Sequence, residues 1–135
     1  PEIIELNIAE AGRNYGWPLV SWGRHYNGED IPDPPTRPDL AQSIRQWTPV
    51  ISPTGIVFYT GDMFPAWRGN LLIGGLTAQG IVRLTLDGQR VTGEERIALG
   101  ARVRDVRQGP DGAVYVLTDR SDGEVLRLTP AASGG

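Results

Sequence analysis

The sequence predicts an all-β chain of antiparallel four-stranded blades, roughly two blades of an incomplete β-propeller ring. One observation is a period-2 alternation of apolar and polar residues in IELNI at 4–8, VRLTL at 82–86 and LRLTP at 126–130. That period places Ile4, Leu6 and Ile8, then Val82, Leu84 and Leu86, then Leu126 and Leu128 on single sheet faces, as half-buried strands require. The other observation is internal repetition. SPTGIVFYTGD at 52–62 and GPDGAVYVLTD at 109–119 share Pro, Gly, Val, an aromatic and a closing Asp, and read as two copies of one unit. The copies are offset by 57 residues here and by 44 at the alternating element, offsets that suit propellers with one sheet per repeat of roughly 40 to 50 residues.

Taken in order, residues 1–49 form an opening strand and a long loop that contains NYGWP at 14–18. Pro32, Pro34, Pro35 and Pro38 leave the loop little periodicity, with one helical turn expected at 40–45. Residues 50–99 form one blade with strands at 54–59, 71–76, 81–86 and 91–99, joined by turns at Asp87-Gly88 and Thr92-Gly93. The last blade, 100–130, has strands at 102–107, 113–117 and 125–128, with turns at Pro110-Asp111-Gly112 and Ser121-Asp122-Gly123. It lacks a fourth strand, and 131–135 is a tail. Propellers often close by taking that strand from the N-terminal end of the chain, which removes an open sheet edge. Nothing suitable precedes Glu2, and two blades cannot close a ring. The expectation is therefore that these residues complete a longer chain or that several copies assemble.

Composition narrows the function. The 18 Gly and 11 Pro punctuate short apolar runs, so the chain is ordered and turn-rich. With 13 basic and 16 acidic side chains the net charge is −3, which disfavours nucleic acid or an anionic membrane as partner. There is no Cys, so disulfides, zinc-thiolate sites and thiol nucleophiles are excluded. No stretch approaches the roughly 18 apolar residues of a membrane span, and the first ten residues lack the pattern of a signal peptide. Hydrolase, zinc-protease, P-loop and dinucleotide motifs are missing. Gly74-Gly75 sits in an apolar strand and reads as close backbone packing. Glu29-Asp30 and Glu94-Glu95 fall in turn-like stretches as solvated charge.

The run Asn14-Tyr15-Gly16-Trp17-Pro18, followed in order by Arg102-Val103-Arg104-Asp105-Val106, Gly109-Pro110-Asp111-Gly112 and Val116-Leu117-Thr118-Asp119, resembles the glucose/sorbosone dehydrogenase family over about residues 3–130. The resemblance implies a six-bladed propeller, aldose sugars as substrates oxidised at C1, and pyrroloquinoline quinone (PQQ) with calcium as cofactors. It also implies a periplasmic or secreted location. In that family PQQ lies on the top face, and calcium joins it to backbone carbonyls in the loop before NYGWP. By position those carbonyls belong to Gly12 and Arg13. Calcium accepts main-chain oxygens readily, so no carboxylate is needed at position 13.

Arg102 and Arg104 match the family's cofactor-binding arginines. Two apart on a strand, they point to one face, and the planar guanidinium fork suits carboxylates and quinone oxygens. Asp105 is placed to neutralise one of them or Arg107. Where family members carry a Lys that contacts the cofactor, this sequence has Thr77, whose hydroxyl donates a hydrogen bond but supplies no charge. Trp47 or Thr48 stands near a further cofactor contact. The family's general base is a His whose motif lies upstream of anything in this sequence. His25 does not match it, so no catalytic residue is assigned and this polypeptide by itself is expected not to turn over sugar. The alternative is a non-catalytic propeller module that binds a protein or carbohydrate partner with the same face.

Overall fold

The computed structural model describes residues 3–22, 24, 29–47 and 49–131. The chain divides into two compact units, Pro1–Val50 and Ile51–Gly135.

In the first unit, β1 (Ile4–Leu6) pairs antiparallel with β2 (Arg45–Trp47), Glu5 lying opposite Gln46. The expected helical turn at 40–45 is replaced by extended chain running into β2. The Ile44 N–H donates to the Leu6 carbonyl, which extends the ladder and leaves no helical bond to form there. The helical turn falls instead at Pro34–Thr36, as a single 3-10 turn, where two prolines hold φ near the helical value. Val20, Ile31, Leu40, Ala41 and Trp47 are buried.

The second unit holds two antiparallel meanders. One sheet runs β3 (Pro53–Phe58), β4 (Leu71–Gly75), β5 (Gly80–Asp87), β6 (Arg90–Ala98). The other runs β7 (Val103–Gln108), β8 (Val114–Thr118), β9 (Val125–Leu128). Every predicted strand of the two blades is present, shifted by a residue or two at its ends. All five residues of β4 are buried, which explains why LLIGG is continuously apolar and not alternating. A single apolar cluster of Tyr59, Leu72, Ile81, Val103, Val106, Val114 and Val116 joins the sheets.

Two expectations are corrected. Thr92-Gly93 is not a turn but lies within β6. The register passes from Thr85 opposite Gly93 to Leu86 opposite Val91, so Thr92 is an extra residue absorbed as a bulge. The hairpin turns at Gly88, with φ +59°, between Asp87 and its partner Arg90. The two repeated runs are also not copies of one element. SPTGIVFYTGD carries the first strand of its sheet, and GPDGAVYVLTD carries the second strand of the next. Both are short apolar strands bounded by Gly and Asp, so they share composition without sharing position. The topological counterpart of β3 is β7, and each carries a bulge at the same place. Thr54 is the extra residue in one and Arg104 in the other.

The sheets approach closely where β4 meets β7. A Cβ on Gly74 would lie 2.8 Å from Val103 Cγ1, so the expected close packing of Gly74-Gly75 is present. Thr54 Oγ1 bonds to both sheets, donating to the Gly74 carbonyl (3.2 Å) or the Val103 carbonyl (2.9 Å). The starts of β3 and β7, the end of β4 and, through pairing of Val103 with Thr118, the end of β8 therefore lie at one end of the blades.

Candidate functional site

That end of the blades carries the arginine pair. Val103 is wholly buried because it faces the core, so Arg102 and Arg104 on either side of it face outward. The bulge at Arg104 lets Val106, three residues after Val103, turn inward as well. Both guanidinium groups reach the same carboxylate, which confirms that they share a face. Arg102 Nε donates to Asp119 Oδ2 at 3.2 Å. Arg104 Nε and Nη2 donate to Asp119 Oδ1 at 3.3 and 3.0 Å. The side chains are 49% and 52% exposed for the arginines and 30% for Asp119. Hydrogen bonds from Arg104 first and Arg102 second hold the Asp119 carboxyl below the usual carboxylate range.

Asp105 does not neutralise this pair. It bonds to Arg107 Nε at 3.1 Å through Oδ2, while its Oδ1 accepts the Val106 N–H. The partner of Arg102 and Arg104 is Asp119, the closing residue of VLTD, to which the sequence alone attaches no role. The signal was the antiparallel pairing of the two strands, which places the residue after Thr118 beside the one before Val103.

Thr77 lies at the same end, in the turn between β4 and β5, and its hydroxyl donates to Ser52 Oγ at 3.2 Å. Ser52 has φ +51°, a left-handed conformation that non-glycine residues seldom adopt. Its carbonyl accepts the Leu76 N–H at 3.0 Å. The two hydroxyl residues therefore clasp the start of β3 to the β4–β5 turn.

Gly12 and Arg13 belong to the first unit. Tyr15 shapes their loop: its hydroxyl donates to the Ile8 carbonyl and accepts the Glu10 N–H at 2.7 Å. Gly12 has φ +75°, the left-handed conformation for which glycine is suited. The Arg13 guanidinium pairs with Glu10 at 3.2 Å. Among the described residues, neither the Gly12 nor the Arg13 carbonyl accepts a backbone hydrogen bond outside the regular elements. Asn14 Oδ1 accepts the Gly16 N–H at 2.8 Å, and the Asn14 carbonyl accepts from Ala41. Trp17 is 67% exposed. Trp47 is buried in β2, while Thr48 and His25 lie outside the described residues.

Among the described residues no group of three or more His, Cys, Asp or Glu side chains is arranged to hold a metal. A metal at the first unit's loop would rest on main-chain oxygens, which is chemistry suited to a hard cation. Among the described residues no helix is long and apolar enough to cross a membrane.

An all-β chain of antiparallel, blade-like sheets defines the class as a β-propeller. The comparisons name the family. The Glucose / Sorbosone dehydrogenase profile matches residues 4–127, and the chain belongs to that family. It is 42% identical over 130 residues to the aldose sugar dehydrogenase YliI of Escherichia coli K12, covering 93% of this chain and 35% of that protein. A crystal structure of a glucose dehydrogenase superposes with TM-score 0.83 at 42% identity, covering 96% of this chain and 39% of that one. The PQQ-bound form of an aldose sugar dehydrogenase from Streptomyces coelicolor superposes with TM-score 0.63 at 25% identity, covering 94% and 36%. The chain spans about a third of the length of the curated relatives it matches, 31% of one and 35% of another.

Proposed function

We propose that this chain forms part of the cofactor floor of a PQQ- and calcium-dependent dehydrogenase that oxidises aldose sugars at C1. The observation that carries the reading is the Arg102–Arg104 fork. The two guanidinium groups are held on one exposed face, and the Asp119 bonds occupy only Arg102 Nε and Arg104 Nε and Nη2. Arg102 Nη1 and Nη2 and Arg104 Nη1 make no hydrogen bond among the described residues, so three guanidinium nitrogens, each with two N–H donors, are left for a planar, multiply anionic ligand. PQQ, with its carboxylates and quinone oxygens, fits that donor set, and a relative of known structure binds it.

When bound, PQQ supplies a two-electron acceptor for the hydride of the sugar C1–H. The arginines would bind its oxygens, orient the ring system and supply fixed positive charge beside the quinone. Asp119 keeps the pair from carrying its full charge into the free protein. Gly12 and Arg13 offer calcium two carbonyl oxygens. Thr77 and Ser52 offer neutral hydroxyls at the cofactor end of the blades, with no cation of their own. No residue of this chain is assigned the role of base.

The test is a titration of the full-length protein with PQQ and calcium, followed by cofactor absorbance, in wild type and in Arg102→Ala/Arg104→Ala. The expected result is calcium-dependent binding that the double substitution abolishes while the protein stays folded. A folded wild-type protein that leaves the PQQ spectrum unchanged would overturn the reading in favour of a non-catalytic module with a protein or carbohydrate partner.

A further inference from the structure

We propose that Asp119 is a positioning residue that sets the spacing and net charge of the Arg102–Arg104 fork before the anionic ligand arrives. The inference deepens the proposed function and rests on it for the identity of the ligand. Its two carboxylate oxygens are divided between the two arginines, Oδ2 to Arg102 and Oδ1 to Arg104. One carboxylate thereby fixes the separation of two long, half-exposed side chains that would otherwise sample many rotamers.

The carboxylate is itself held from both sides. The Asp119 N–H donates to the Arg102 carbonyl at 2.7 Å, which locks the end of β8 to the residue it must reach. On the other side, buried Thr118 anchors the turn into β9. Its N–H donates to the Glu124 carbonyl at 3.0 Å, and its Oγ1 accepts the Glu124 N–H at 2.8 Å. The bulge at Arg104 follows directly, after the Val103–Thr118 pair. Backbone geometry and side-chain bonding thus act on the same three residues.

Two effects of Asp119 on an incoming anion oppose each other. Its charge offsets one of the two arginine charges, which weakens attraction. Its bonds order both side chains in advance, which removes an entropic cost of binding. Each charged group is about half exposed or a third exposed, so solvent screens the Coulomb term. The ordering term comes from short-range, directional hydrogen bonds to two rotamer-rich side chains, which solvent weakens less than the longer-range attraction for the incoming anion. Ordering therefore wins, and removing the carboxylate weakens binding although the site becomes more positive.

The experiment compares wild type with Asp119→Asn, which keeps shape and removes charge. PQQ affinity is measured over a range of salt concentrations, and the Nε–H groups of Arg102 and Arg104 are followed by NMR relaxation in the ligand-free protein. The expected result is PQQ binding weaker by roughly 5- to 150-fold, the range for ordering two long side chains at binding. The salt dependence should steepen because one more positive charge faces the anion. The two Nε–H groups should pass from ordered to mobile, while the urea midpoint and the rest of the spectrum stay close to wild type. PQQ binding that is equal or tighter in Asp119→Asn, or Nε–H groups that remain as ordered as in wild type, would overturn the inference. If wild type binds no PQQ, the functional reading falls. The ligand-free relaxation data still decide the role of Asp119.

Discussion

Gly74→Ala tests the link between sheet packing and the arginine face. The added Cβ would stand 2.8 Å from Val103 Cγ1, 3.2 Å from Thr54 Oγ1 and 3.6 Å from Val106 Cγ1. Carbon atoms rest at about 3.5–4.0 Å, so Val103 must retreat by roughly 1 Å or the sheets must part. Val103 and Val106 are wholly buried, and neither has an open direction to move. Overpacking of this kind costs about 1–3 kcal/mol. With a urea slope of about 1–3 kcal/mol per molar, the unfolding midpoint should fall by roughly 1 M.

A second substitution makes the reasoning specific. Val103→Ala alone removes two buried methyl groups, a loss of about 0.8 kcal/mol per group before any cavity cost. In Gly74→Ala/Val103→Ala the new methyl enters the space vacated, so the double variant should be more stable than the sum of the singles by about 1 kcal/mol, as touching residues show. Because Val103 lies between Arg102 and Arg104, PQQ affinity should drop in Gly74→Ala and recover in part in the double variant. Urea unfolding followed by tryptophan fluorescence, with PQQ titration in parallel, gives both quantities. An unchanged midpoint in Gly74→Ala, or strict additivity in the double variant, would refute this account of the interface.

Two further outcomes are expected. In Tyr59→Phe, a wholly buried hydroxyl is lost that donates to the Gly112 carbonyl at 2.6 Å and accepts the Phe64 N–H at 3.0 Å. Denaturation should show a loss of about 1–3 kcal/mol, and an unaltered midpoint would mean that these bonds contribute nothing net. Hydrogen bonds from Arg104 and Arg102 lower the Asp119 carboxyl, and a hydrogen bond from Arg127 lowers that of Asp111. Groups with folded values below the unfolded value of about 3.9 stabilise the fold above that pH, and the contribution disappears as pH falls through the folded value. Their contribution is therefore fully present and independent of pH near neutrality, and the urea midpoint should decline on acidification below about pH 4. Asp119→Asn/Asp111→Asn should flatten that decline, and an identical acid profile in the variant would exclude the two carboxylates as its source.

Much of this protein is legible in the linear sequence because its physics is local. Period-2 alternation in VRLTL and LRLTP marks strands whose two faces meet different surroundings, and Gly88 marks a hairpin that needs positive φ. The motifs from NYGWP to VLTD, read in order, name the family that the comparisons establish. Apolar content also marks LLIGG as a strand, although only the packed structure shows why it does not alternate: both its faces are covered.

Tertiary structure decided what depends on register. A one-residue bulge is invisible in composition, yet the bulge at Arg104 determines which of Val103, Asp105 and Val106 turn inward. The similarity of 52–62 to 109–119 misled for the related reason that any short apolar strand between Gly and Asp looks alike, whatever its place in the sheet. For the same reason the sequence leaves Asp105 a choice among Arg102, Arg104 and Arg107; it pairs with Arg107, and the carboxylate that serves Arg102 and Arg104 follows the neighbouring strand. Sequence chemistry supplied the two arginines. The partner that orders them lies 15 and 17 residues away in the chain and is brought beside them by the β7–β8 ladder, because cross-strand neighbours are set by pairing and not by proximity in sequence.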